Sequence, residues 1–240
     1  MISDSALEHT RIYQALAFVV ALLATSCSTD VVKKEPTQKD VLEAPAADLA
    51  QGYLAAKTSV GLVKRLVKTG AFGGSGARFM LKVRGEIIDK DNVDEYLAKY
   101  QKQLALHEEA IKQRGYANIA GAYKGEATKS CANSNSLWAA AIQRKAQTGV
   151  EIRQEGIDAQ IVISLKQNDN EMSIGNPAAI AETAIAVIEA TNSDYYFLGE
   201  IKDQVIVLKP DVSVLNIWPK WASPPRRNDL ESCTVTLERL

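Results

Sequence analysis

The sequence predicts an α+β protein, in which an N-terminal helical pair is followed by an antiparallel β-barrel or β-sandwich. Two patterns carry that expectation. Apolar residues recur at spacings of three and four over 48–69 and again from near Asp91 to Gly115, and beyond Gly115 the period changes to two. Composition agrees, since 240 residues with 46% hydrophobic and 24% charged content match a globular core rather than wholesale disorder or a multi-pass membrane protein.

The first helix is expected over 48–69, where Leu49, Tyr53, Ala56, Val60, Val63 and Val67 fall on one face. Asp48 is its expected cap, with Gln51 three residues on, and Gly70 its stop. Gly73, Gly74 and Gly76 then make a linker; a phosphate loop would need a Lys-Ser/Thr pair that is missing. Residues 79–88 fit a short strand or a helical extension equally well. A second helix starts near Asp91, with Val93, Leu97, Tyr100, Leu104, His107 and Ile111 on its apolar face and Gly115 as its end.

Period-two segments follow. Residues 119–126 form the first expected strand. Residues 150–154 and 157–166 make a hairpin across Gly156, as do 195–201 and 205–208 across a turn at Lys202-Asp203. Residues 212–217 and 233–237 add two more strands. Between the hairpins, Asn176-Pro177 followed by 178–191 reads as a helix with proline at its first position, although 184–190 also passes as a strand. Seven or so short strands imply a barrel or sandwich over 116–240.

The leader is distinct from all of this. Residues 12–25 are almost wholly apolar, too short to span a bilayer comfortably but right for the core of a signal peptide. Leu22-Leu23-Ala24-Thr25-Ser26-Cys27 resembles the lipobox of bacterial lipoproteins. The resemblance implies removal of residues 1–26 and diacylation of Cys27, for instance with palmitate. The residues that follow are polar and contain proline, as a lipidated tether over 27–47 would, ahead of the helical region over 48–115 read from periodicity. Ser28 after the cysteine implies an outer-membrane lipoprotein facing the periplasm. Export to an oxidising compartment makes a Cys131–Cys233 disulfide the default, whereas two buried free thiols would suit a cytosolic protein. Gly121-x-Tyr123-x-Gly125, then Cys131, then Val150-x-Ile152-x-Gln154-x-Gly156 and a closing Cys233-x-Val235-x-Leu237, also resemble the small calycin-like β-domains of envelope lipoproteins. No functional residue transfers from that likeness.

Chemistry-bearing motifs are sparse. Of 28 basic and 29 acidic residues, 1–26 hold Arg11, Asp4 and Glu8, so the remainder is neutral and offers no basic stripe for nucleic acid. His9 leaves with the leader, and His107 alone cannot build a zinc site or a Ser-His-Asp triad. Asp89, Asp91 and Asp94 match a calcium loop only loosely and are better read as acids at a helix start; no metal or other cofactor is expected. Residues 167–171 are rich in oxygen ligands but have the composition of a turn. The segment marked for recognition is Trp218-Pro219-Lys220-Trp221 with Arg226, which would present aromatic faces and a cation to an envelope protein, peptide or glycan. The competing account has both tryptophans capping the β-domain core. The chain is thus expected to be a non-enzymatic, ligand- or partner-binding lipoprotein. The alternatives are a hydrolase using carboxylates such as Glu200 or Asp211, and a structural subunit of an envelope complex.

Overall fold

The spacing of apolar residues that calls for a helical pair produces one, and the period-two segments close into a barrel. A computed structural model describes residues 36–72, 81–83, 86–167, 170–189, 192–213 and 223–240. Cys27, expected from the sequence to carry the lipid, the glycines after Phe72 and the tryptophans Trp218 and Trp221 lie outside the described residues. Residues from Thr37 to Leu240 belong to one compact unit.

Helix α1 (Gln38–Leu42) opens with a capping box, in which the Thr37 hydroxyl accepts the Asp40 N–H and the Asp40 carboxylate accepts the Thr37 N–H. Helix α2 spans Ala46–Lys68, so the expected cap at Asp48 is corrected: Pro45 precedes the first turn, and Asp48 sits inside that turn, where its charge favours the positive helix end. Gly70 turns the chain away at φ +71°. The ambiguous stretch before the second helix is a strand pair, β1 (Leu81–Val83) and β2 (Glu86–Ile88). Helix α3 spans Val93–Arg114 and ends at Gly115, with φ +88°.

The two long helices cross where Gly52 faces His107, which is half-buried and joined through Nδ1 to the Gln103 carbonyl at 2.7 Å. A Cβ at Gly52 would stand 2.2 Å from His107 Nε2, so any other residue here would have to displace the imidazole ring. Past the crossing, Val60, Val63, Ile88, Val93 and Tyr100 pack on one another in a core of their own.

The barrel is an antiparallel meander of β3 (Gly121–Ala127), β4 (Gln147–Glu155), β5 (Asp158–Gln167), β6 (Asn170–Ala181), β7 (Ala184–Glu189), β8 (Asn192–Lys202), β9 (Val205–Pro210) and β10 (Val235–Arg239). Strand β10 pairs with both β9 and β3, which closes the sheet and leaves no edge. The β8–β9 turn is at Asp203-Gln204, one residue later than expected, because both central residues take positive φ as a two-residue hairpin loop requires. Val212 and Ser213 form a turn in which the Ser213 N–H donates to the Asp211 carboxylate, which corrects the strand expected from 212 onward; 214–217 lie outside the described residues.

The helix expected over 178–191 is corrected to the β6–β7 hairpin. Ala178, Ile180, Ile185 and Val187 point into the barrel, while Ala179, Ala181, Ala186 and Ile188 lie under the helices. All six residues of β7 are buried, since the strand has core on both faces. The alanines that mimic helix propensity are small because α2 lies against them through Leu49, Ala50, Tyr53 and Leu54. Pro177 is tolerated because it stands one residue beyond the Ala178↔Val187 rung, where no partner in β7 needs its missing N–H.

Polar ties hold the helices to the barrel. Lys57 and the Tyr53 hydroxyl both reach Asp158 at the start of β5. Arg114 bonds Glu182 in the β6–β7 turn at 2.6 Å and also donates to the Ala44 carbonyl at 2.5 Å. No helix among the described residues is long and apolar enough to cross a membrane.

Candidate functional site

An antiparallel meander sorts its connections between two ends, and here the sorting is uneven. The β4–β5, β6–β7 and β8–β9 turns are short and share one end. The other end carries the β3–β4 segment, with a 3-10 turn at Lys129–Asn133 and helix α4 (Leu137–Gln143), and the β9–β10 connection with helix α5 (Arg227–Ser232). Long connections at one barrel mouth are where function is usually found. Here they form a plug.

The plug is built from its caps inward. Ser136 is the N-cap of α4, accepting the Ala139 N–H, and this aims Trp138, Ala139 and Ile142 into the barrel. Trp138 is fully buried and packs edge-on to Phe197, with ring centroids 4.7 Å apart. Its indole N–H meets no acceptor among the described residues, so packing rather than hydrogen bonding places the ring. Leu230 of α5 joins the same core.

Beneath the plug lies the barrel's polar layer. Glu189 follows Ile185 and Val187 on the inward face and is 1% exposed. Its carboxylate accepts the Ser136 hydroxyl at 2.6 Å. Continuing the β6–β7 register beyond Ala178↔Val187 sets the buried Asn176 across from it. Tyr195 donates its hydroxyl to the Ser134 carbonyl at 2.6 Å, and Ser134 in turn donates to the Cys131 carbonyl at 2.7 Å. Burial pushes the Tyr195 hydroxyl well above the ordinary phenol range, and the nearby Glu189 charge adds to that shift. Ser136 both donates and accepts, and it is 2% exposed, so this hydroxyl is a latch between plug and barrel rather than an available nucleophile.

A covalent tie completes the plug. The Cys131 and Cys233 sulfurs are 2.09 Å apart and their α-carbons 4.6 Å, within the range a disulfide spans. Both residues are fully buried. Around them, the Thr128 hydroxyl accepts the Thr234 N–H at 3.0 Å and donates to the Ser232 carbonyl at 2.9 Å, so the end of β3 and the approach to β10 are joined by side chain and backbone alike.

The other residues singled out in the sequence fall as follows. Arg226 is the N-cap residue of α5, largely exposed, and pairs with Asp229 at 2.9 Å. Trp218 and Trp221 lie outside the described residues, so the recognition segment is described only at its Arg226 end. Glu200 and Asp211 are not brought together. Glu200 is exposed on the outer face of β8, while Asp211 bonds Tyr196 through its N–H and accepts from Gln51 at 2.9 Å. Tyr196 and Glu200 are four residues apart along β8, a separation of about 13 Å. Asp89 accepts the Asp91 N–H and donates its own N–H to Asn92, so these groups shape the entry to α3. Among the described residues, no group of three or more His, Cys, Asp or Glu is arranged to hold a metal.

Glu189 and Ser136 were not expected from the sequence. Ser136 had a signal, a serine directly before the apolar Leu137-Trp138 pair. Glu189 was hidden by the helical reading of its strand, which would place it on a solvated face. Compared with protein-family models, with curated proteins and with solved structures, the chain matches none.

Proposed function

We propose that this chain is a cell-envelope lipoprotein, anchored through diacylated Cys27 in the outer membrane and facing the periplasm, whose plugged barrel binds a partner without catalysing a reaction on it. The observation that carries the reading is the buried Cys131–Cys233 disulfide, because such bridges persist in oxidising compartments and are rare in the cytosol. It agrees with the lipobox-like leader. The barrel interior is filled by Ile152, Ile161, Ile163, Phe197, Leu208 and their neighbours, and its mouth is latched by Ser136 and Glu189, which directs recognition to the outer surface. By its composition, the segment from Trp218 to Arg226 would supply aromatic and cationic groups suited to an envelope protein, peptide or glycan.

One preparation tests address and partner together. Intact-mass analysis of the protein from membranes should show residues 1–26 removed and Cys27 acylated, and Cys27→Ser should leave the protein unprocessed or soluble. Crosslinking from the same membranes should capture a partner that the Trp221→Ala, Arg226→Ala double variant loses. An unmodified Cys27 would overturn the address, and a partner held equally by the variant would overturn the role of the segment.

A further inference from the structure

We draw no further inference here: the strongest candidate, the outer face of the plug helix α4, where the exposed Leu137 shares a side with Arg144 at the loop-bearing end of the barrel, is an unpartnered face, and nothing in the structure shows what covers it.

Discussion

Gly52 reverses the ordinary sign of a substitution. In an exposed helix interior, replacing glycine by alanine gains up to about 1 kcal/mol from backbone entropy. At Gly52 the added methyl would meet the His107 ring, which cannot withdraw without giving up its bond to the Gln103 carbonyl. Gly52→Ala is therefore expected to destabilise by about 1–3 kcal/mol, as overpacking does, and His107→Ala in the same chain should recover part of the loss. Urea unfolding of the two single variants and the double variant measures this; a stabilising Gly52→Ala would show that the His107 ring withdraws at little cost. The Ser136–Glu189 latch supports a second cycle at this scale. Each partner removed alone leaves a buried polar group to be satisfied, at about 1–3 kcal/mol. The Ser136→Ala, Glu189→Ala double variant should lose less than the sum of the singles, with a coupling of at least about 0.5 kcal/mol. Strict additivity would mean that the two groups do not hold plug to barrel.

At the scale of elements, Arg114 is where α3, the lead into α2 and the β6–β7 turn meet. Its hydrogen bond holds the Glu182 carboxyl below the usual carboxylate range. A carboxyl lowered on folding adds stability above its unfolded value, and that contribution is lost as the pH falls through the lower folded value. Glu182→Gln should thus cost stability at pH 7, by less than about 1 kcal/mol because both side chains are partly exposed, and the difference should vanish near pH 2. A difference that persists in acid would assign the cost to packing. The same junction shows what could be read from the sequence. The long helices and most strand pairs were legible because each has one apolar side, which leaves a clear period. The β6–β7 hairpin was not, because its strands are apolar on both faces and rich in alanine, and periodicity then carries no information. Only the helix lying on Ala179, Ala181 and Ala186 explains those small residues, and that contact is between segments far apart in sequence. The candidate site was legible to the same degree: its cysteines by elimination once the leader is read, its serine by position, and its buried carboxylate not at all.

Across the whole molecule, closure and the disulfide support one another. An eight-stranded meander holds its shape only if the last strand finds the first, and β10 does so against β3 from Val235↔Ala127 to Arg239↔Tyr123. That pairing is the most non-local in the barrel and so the most costly in chain entropy to form. The Cys131–Cys233 bond lies beside it with a sequence separation of 102, which bears directly on that cost. Loops of this length lose about 4.7 kcal/mol of unfolded-state entropy in the chain-entropy account. Cys131→Ala should destabilise the oxidised protein by about 2–5 kcal/mol, chiefly by freeing the unfolded chain, while the barrel and its latch remain formed. Reductant should bring the unmutated protein close to the variant and leave the variant itself unchanged. Denaturant titrations of both proteins, with and without reductant, decide the matter. If the oxidised, unmutated protein is no more stable than Cys131→Ala, the bridge does not offset the chain-entropy cost of bringing β10 to β3, and the β3–β10 pairing and buried core carry that cost alone.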